Sequence, residues 1–408
     1  MRREDSSDDG MTGRVRILTT IEEIDRVAGL WRSLWSRCEG LRTPFLSYEF
    51  VCAWVRHYGQ GRHLHILLVE DDETVIGIMP LVWMTYRIGP LTREALETIG
   101  SESRNLVALI APGAESTAAR LIADHLKRSV LRDSRCLRLS LVPSTQVFPS
   151  ELGKALRSSS ADIAVASKPV SFAPYAPLPA QWRDFERRLG RRRRKALAWA
   201  QRRLDLARKH VHVRSVGGDE IEAAMADLFH LHQQRWKGVR IRGLFEDEDS
   251  RAFHLDFARA FSRLGWLDIS MMEIDGKVGS VSLIVLLDGV VYLLRSGRNT
   301  SFAEYSIGHL HDLSLFRKWI HNRLVEVDFL RGAEPYKFYW TRNYRTYVEI
   351  IAVKARWTAP LSLFYTRTWL AFARFLSHRH PPGEIIAYLR TKHFNNRELR
   401  RMGIRLQP

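Results

Sequence analysis

One stretch of the second half concentrates side chains that can move protons. The segment 328–337 reads Asp-Phe-Leu-Arg-Gly-Ala-Glu-Pro-Tyr-Lys, a strand that ends in a turn. A carboxylate at the end of a strand, here Asp328, can act as a general base, while Tyr336 can donate a proton to a leaving group. Lys337 can neutralise a phosphate or fix a carboxylate, and Glu334 is a further acid–base candidate. The alternative is a structural turn in which Asp328 and Lys337 form an ion pair.

A phosphate-binding turn is predicted twenty residues before this segment. Ser306, Ile307, Gly308 and His309 open a helical pattern that runs to Leu324. The free N–H groups and the dipole at a helix N-terminus favour a phosphate group. The alternative is a helix whose serine is an N-cap and whose glycine allows close packing on a sheet.

The elements that must position these side chains occur twice in the chain. A helical pattern that ends at Trp35 recurs 201 residues later and ends at Trp236. A predicted hairpin containing Gly77 recurs 202 residues later around Gly279. Each half reads as helix, helix, hairpin, strand, helix, strand, so we expect a duplicated α/β unit with a mixed sheet flanked by helices.

The last three elements of each half predict a parallel strand pair. In the second half they are strand Val290–Gly297, helix Ser306–Leu324 and strand Val325–Leu330. The first-half counterparts are strand Arg104–Pro112, helix Ser116–Val130 and strand Cys136–Val142. Strand–helix–strand units make right-handed crossovers, and ligands gather at the carboxyl ends of their strands. Asp328 and the 306–309 turn should therefore share one cleft, with Tyr336 and Lys337 turned back over it.

Composition shifts predict the domain boundaries. We expect a solvated tail over 1–14, a first domain over 15–165 and a proline-rich linker over 166–180. A second domain follows over 181–357, opened by a long basic helix from 181 to 210, and a basic helical extension occupies 358–408.

Charge and composition narrow the class of protein. Of 408 residues 45% are hydrophobic, which excludes a disordered chain, and no apolar run is long enough to span a membrane. The net charge of +18 comes from two patches, 183–209 and 354–408, each carrying about nine excess positive charges. Such patches favour anionic partners. Three cysteines without ligand spacing, and histidines 309 and 311 only two apart, predict neither disulfides nor a metal site.

Several strings together resemble a known family. They are Gly77-Ile-Met-Pro-Leu81, Leu231-His-Gln-Gln-Arg-Trp236, Arg251-Ala-Phe253, and Asp328-Phe-Leu-Arg-Gly332 with Tyr336-Lys337 and Trp340. In this combination the chain, over about 15–357, resembles the CelD-type acetyltransferases linked to cellulose biosynthesis. These are double-GNAT proteins akin to the FemAB peptidyltransferases.

The resemblance implies two GNAT-like domains and transfer of an acyl group from acyl-coenzyme A to an amine or hydroxyl. It implies a cytoplasmic protein, peripheral at the inner face of the membrane, that acts on a polysaccharide precursor or cell-envelope intermediate. Coenzyme A would bind at 306–309 in the second domain only, because Glu115 in the first would repel a pyrophosphate. Arg235, Trp236 and Arg331 are the substrate-binding candidates, and Trp236 has a core interpretation as well.

Two alternatives remain open. One is FemAB-like aminoacyl transfer from a charged tRNA, for which the arginine run 191–195 would supply an anion-binding stripe. The other is a non-catalytic scaffold that binds anionic partners through the two basic patches. The C-terminal helix Leu361–Leu376 either lies on an anionic membrane or packs on the second domain.

Overall fold

The computed structural model describes residues 13–39, 42–88, 90–100, 107–131, 135–158, 162–236, 244–332 and 334–354, with two isolated positions, 366 and 368. The extension 358–408, apart from those two positions, and residues 1–12 of the tail lie outside the described residues. The chain forms two compact units. The first unit contains Met1–Val51, Gly61–Lys168 and Val348–Leu370, and the second contains Cys52–Gln60, Pro169–Tyr347 and Ala371–Pro408.

The first half of the chain contains five helices and eight strands among the described residues. The helices are α1 (Ile21–Arg26), α2 (Ala28–Arg37), α3 (Tyr48–Tyr58), α4 (Glu115–His125) and α5 (Val147–Ser158). The strands are β1 (Arg14–Leu18), β2 (Ile66–Asp71), β3 (Thr74–Met79), β4 (Leu81–Ile88), β5 (Leu91–Thr98), β6 (Leu109–Ile110), β7 (Arg135–Pro143) and β8 (Ile163–Pro177).

The described part of the second half contains six helices and six strands. The helices are α6 (Trp182–Arg188), α7 (Gly190–Leu206), α8 (Ile221–Trp236), α9 (Glu248–Arg263), α10 (Ile307–His321) and α11 (Lys337–Trp340). The strands are β9 (Val211–Val216), β10 (Leu267–Ile274), β11 (Lys277–Leu287), β12 (Val290–Arg298), β13 (Glu326–Asp328) and β14 (Tyr344–Lys354).

The two halves repeat one order of strand pairing, which confirms the predicted α/β class with mixed sheets. In the second half β9, β10, β11 and β12 are antiparallel neighbours, and β12 pairs with β13 in parallel. In the first half β1, β2 and β3 are antiparallel, β4 pairs antiparallel with β5, and β5 pairs in parallel with β7. Pro80 separates β3 from β4 because it lacks the N–H that a ladder needs, whereas β11 is continuous.

Three local predictions differ from the structure: the parallel partner of β7, the single helix over 181–210, and the proline-rich linker over 166–180. The parallel partner of β7 is β5, not the segment 104–112, whose described part forms β6 and pairs antiparallel with β3. The strand β5 was missed because its sequence, Leu-Thr-Arg-Glu-Ala-Leu-Glu-Thr, is rich in polar residues. The long helix over 181–210 is broken into α6 and α7 at Gly190, which has a φ of +70°.

The third difference concerns the proline-rich linker. Most of 166–180 lies in the extended strand β8, and the boundary between the units falls at Lys168 and Pro169. Proline is compatible with an extended backbone at positions that donate no ladder hydrogen bond. The described residues contain no helix long and apolar enough to cross a membrane.

The core of the second unit holds α10 against α6 and α7. Phe185 of α6 stacks on Phe316 of α10 at 4.6 Å between ring centroids, and Trp340 lies 5.0 Å from Phe316. Leu197 and Leu204 bring α7 into the same cluster. Burial of these large side chains fixes the position of the α10 N-terminus.

Candidate active site

The parallel strands β12 and β13 separate beside the start of α10. The parallel pairing of β12 with β13 runs only from Val290 opposite Glu326 to Tyr292 opposite Asp328. Strand β12 continues six residues further, to Arg298. The helix α10 then begins at Ile307, so its first N–H groups lie at the carboxyl end of β12. This end is where parallel α/β units bind ligands.

The turn before α10 differs from the expected N-cap. Ser306 has a left-handed backbone, with a φ of +53°, and its side chain makes no capping hydrogen bond. Its carbonyl instead accepts the N–H groups of His309 at 2.9 Å and Leu310 at 3.3 Å. The neighbouring Ile307 is buried in the core cluster. Ser306 thus forms the turn before α10, and Ile307 anchors the helix in the core. Gly308 has no side chain, so its backbone is accessible to a neighbouring group.

Arg298 covers that backbone. A Cβ added to Gly308 would overlap the guanidinium of Arg298. This guanidinium lies 3.5 Å from a carboxylate oxygen of Asp312, which also accepts the indole N–H of Trp340 at 3.1 Å. Its Nε is buried without a hydrogen-bond partner among the described residues. A cation on a helix N-terminus is a suitable binding element for an anion.

Two histidines of α10 are held neutral. His309 stacks on Tyr339 with 4.2 Å between centroids, and burial, aided by Arg298, lowers its pKa to about 4. His311 lies between the hydroxyls of Ser270 and Ser280, 2.9 Å from each. Burial lowers its pKa to about 3. His309 therefore borders the anion site as a neutral ring, while His311 fixes α10 to β10 and β11.

Asp328 is buried at the end of β13. One oxygen accepts the N–H of Leu330 at 2.7 Å, and the other lies 3.5 Å from a guanidinium nitrogen of Arg345. Burial raises its pKa to about 6. Leu330 has a positive φ of 58°, so the Asp328 hydrogen bond secures a strained turn.

Lys337 holds the loop that follows. Its ammonium donates to the carbonyls of Leu330 at 3.2 Å and Arg331 at 2.7 Å, and it forms an ion pair with Glu334 at 2.9 Å. These contacts engage all three of its hydrogens. The ion pair between Asp328 and Lys337 that the alternative interpretation required does not form, because each side chain has another partner.

Tyr336 lies beside Arg298 at the end of β12. Its ring is 5.7 Å from the guanidinium carbon of Arg298. The charge of Arg295 also interacts with Tyr336, Arg331 and Glu334. Burial is the main cause that lowers the pKa of Arg295 to about 10. Neither arginine was singled out from the sequence; the available signal was two arginines closing a strand just before the Ser-x-Gly turn.

Of the residues predicted from the sequence, the structure places Tyr336 beside Arg298 at the end of β12. Asp328 lies opposite Tyr292, six positions before that end, so the single cleft expected for Asp328 and the 306–309 turn stays a prediction. Arg235 and Trp236 are the last residues of α8. Their side chains lie outside the described part of the structure.

The corresponding strands of the first unit, β5 and β7, are joined by a buried ion pair. Glu97 of β5 is opposite Arg138 of β7, and the two form a buried ion pair at 3.0 Å. Arg138 also donates from Nε to Glu349 at 2.8 Å. The helix α4 that follows begins with Glu115 in its first turn. Because the strands are held together here and the helix begins with an acidic residue, these residues form no equivalent of the Arg298 site.

The basic helix α7 presents one cationic face outward. Arg191, Lys195 and Arg202 are exposed on it together with Trp199 and Leu206, which are 59% and 69% exposed. Arg193 points inward instead: it donates to the carbonyl of Phe338 at 3.0 Å and covers the ring of Tyr339. The helix thus reaches the site through Arg193.

Comparison with known proteins gives a match to a family model in the second half of the chain. Residues 191–338 match the family model described as an acetyltransferase (GNAT) domain. The match lies within the second half, from α7 to the start of α11, so this part of the chain is similar to GNAT-type acetyltransferase domains. No curated protein matches the chain.

Two solved structures show the same fold. The chain is similar to FemX, with 11% identity, a TM-score of 0.54 and coverage of 86% of this chain and 99% of that one. It is also similar to the C-terminal domain of a putative lysylphosphatidylglycerol synthetase from Agrobacterium fabrum, with 10% identity, a TM-score of 0.50 and coverage of 84% and 95%. The chain therefore shares the α/β fold of these two structures.

Proposed function

We propose that the second unit transfers an acyl group from acyl-coenzyme A to an amine or hydroxyl. The observation that carries the proposal is the Arg298 guanidinium lying on Gly308 at the start of α10. A pyrophosphate there would be bound by the N–H groups of the first turn of α10 and by the guanidinium of Arg298, the partly exposed cation beside them. The neutral ring of His309 borders the same position.

The transfer itself needs few catalytic groups. The acceptor nitrogen or oxygen attacks the thioester carbonyl carbon, the new C–N or C–O bond forms, and the C–S bond breaks. The proton lost by the acceptor goes to Asp328, whose pKa of about 6 suits a base near neutral pH. Tyr336 protonates the leaving thiolate and recovers its proton from solvent. Positioning of the two reactants supplies the rest of the acceleration.

The acceptor and the cellular setting follow from the resemblance to the CelD-type acetyltransferases. It supports a polysaccharide precursor or cell-envelope intermediate as acceptor. Cys38, Cys52 and Cys136 are buried thiols that form no disulfide among the described residues, which suits a reducing compartment, the cytoplasm.

A charged tRNA is the second candidate donor. The outward face of α7 favours it, because Arg191, Lys195 and Arg202 form a cationic stripe beside an exposed Trp199. Under this alternative the phosphate chain would continue from the α10 site along α7.

Calorimetry on the full chain separates the two donors. We expect acetyl-, malonyl- or long-chain acyl-coenzyme A to bind, and Arg298→Met to weaken binding about tenfold or more. Arg259→Met is the matched control, since Arg259 forms an exposed ion pair with Glu222 on α8. Wild-type protein that binds charged tRNA but no acyl-coenzyme A would replace the first proposal with the second.

A further inference from the structure

Arg295 is a half-buried cation that has no carboxylate partner among the described residues. One guanidinium nitrogen, Nη1, donates to the carbonyl of the preceding residue, Leu294, at 2.9 Å. Its Nε is buried and has no hydrogen-bond partner among the described residues. No described carboxylate forms an ion pair with it, because the nearby Glu334 pairs with Lys337.

Arg138, which is more deeply buried than Arg295, has carboxylate partners. Arg138 forms ion pairs with Glu97 at 3.0 Å and with Glu349 at 2.6 Å. Those two carboxylates balance the cost of burying its charge. A buried charge that lacks a partner is strongly destabilising. Arg295 has no such partner among the described residues, and the charge of Arg331 further disfavours its own, so an anion from outside the chain would stabilise the folded protein.

The free edge of Arg295 has a definite shape. With Nη1 engaged by Leu294, the remaining edge is the fork formed by Nε and Nη2. Two parallel N–H groups on such a fork match the two oxygens of a carboxylate or of a phosphate. The missing partner is therefore a planar or tetrahedral oxyanion rather than a neutral group.

Arg295 and Arg298 lie on opposite faces of β12. Side chains alternate along a strand, so Arg295 shares a face with Gly297 and Arg298 lies on the other. A Cβ at Gly297 would lie 2.8 Å from the Cβ of Leu231, which places α8 on the Arg295 face. Arg298 instead covers α10. The ring of Tyr336 is 5.7 Å from the guanidinium carbon of Arg298, at the end of the strand.

We propose that Arg295 binds a carboxylate or phosphate group of the acyl acceptor, which enters from the α8 side while the donor occupies the α10 side. The role as acceptor site rests on the proposed transfer reaction; the anion site itself does not. An anionic acceptor would complete the pairing of Arg295 and be held with its nucleophile near Tyr336.

Melting temperatures of the full chain test the site without knowledge of the acceptor. The probes are succinate, inorganic phosphate and the neutral succinamide, with sodium chloride at equal ionic strength to correct for screening. We expect succinate or phosphate, but not succinamide, to raise the melting temperature of the wild type, and the stronger of the two identifies the anion. In Arg295→Met this increase should vanish, and in Arg295→Lys the apparent affinity should fall about tenfold.

The unliganded variants give an independent readout. Arg295→Met should melt at or above the wild-type temperature, since it removes a half-buried cation that has no carboxylate partner. Arg138→Met, the matched control, should melt well below the wild type, because it leaves the buried carboxylates of Glu97 and Glu349 without this cation. An Arg295→Met protein that melts as low as Arg138→Met or fails to fold, or one that keeps the anion-induced increase, would overturn the proposal.

Acetyl-coenzyme A separates this inference from the proposed function. Its stabilisation of the protein should survive Arg295→Met and disappear in Arg298→Met. If acetyl-coenzyme A does not raise the melting temperature of the wild type, but succinate or phosphate raises it and Arg295→Met abolishes that increase, the proposed donor would be wrong and the anion site would stand.

Discussion

The guanidinium of Arg298 lies directly on the Cα of Gly308, where any side chain at 308 would overlap it. The two residues come from consecutive elements, β12 and α10, and their contact combines a fixed cation with the N-terminal N–H groups of a helix. An anion bound there would interact with both at once, and neither element offers this alone.

Filling the position of Gly308 should abolish donor binding. An aspartate at 308 would both displace Arg298 and pair with it, so Gly308→Asp should weaken acyl-coenzyme A binding about tenfold or more by calorimetry. Gly29→Asp is the control, because Gly29 is also the second residue of a helix and has open space around it. Undiminished binding in Gly308→Asp would show that the donor binds elsewhere.

Asp328→Asn distinguishes a base from a structural carboxylate. The amide keeps an oxygen for the Leu330 N–H, so a base role predicts a turnover reduced about 10²–10⁴-fold with little change in melting temperature. Glu326→Gln is the control, since Glu326 also pairs with Arg345 from β13. Normal turnover together with a lower melting temperature would make Asp328 purely structural.

The same variant has a predicted pH signature. Because burial raises the pKa of Asp328 from 3.8 to about 6, the folded protein keeps a proton there that the unfolded chain has lost. Its contribution to the free energy of unfolding therefore falls as the pH rises from about 4 to about 6. Asp328→Asn should remove this fall in urea titrations across that range; an unchanged pH profile would contradict the raised pKa.

Lys337→Met should cost stability. It leaves the carbonyls of Leu330 and Arg331 without their donor and Glu334 without its cation, so we expect a loss of about 1–3 kcal/mol in urea unfolding. Lys154→Met is the control, because Lys154 forms only an exposed ion pair with Glu151. An inactive Lys337→Met protein of unchanged stability would instead show that Lys337 takes part in the reaction.

His311 should make the protein acid-sensitive. Burial lowers its pKa from 6.5 to about 3, so the unfolded chain binds a proton that the folded protein excludes. The free energy of unfolding therefore falls as the pH drops below about 6.5, and His311→Gln should flatten this dependence. His230→Gln, at an exposed position of α8, should leave it unchanged. Equal slopes in the wild type and His311→Gln would contradict the prediction.

The sequence by itself determined the duplicated α/β plan. Helical spacing, the acidic hairpin turns and the strand–helix–strand order are local patterns, so they could be read directly, as could the turn at 306–309. The same locality explains the failures: the polar strand β5 has no clear alternation, and the left-handed Ser306 depends on the turn that precedes it.

Only the tertiary structure decided which side chains meet. It paired Lys337 with Glu334 rather than Asp328, and placed Arg298 on Gly308. It also closed the first unit with Arg138, whose hydrogen bond to Glu349 joins residues 211 positions apart. Such pairings depend on the sheet register and on the packing of α10, which long-range burial sets and no short stretch of sequence encodes.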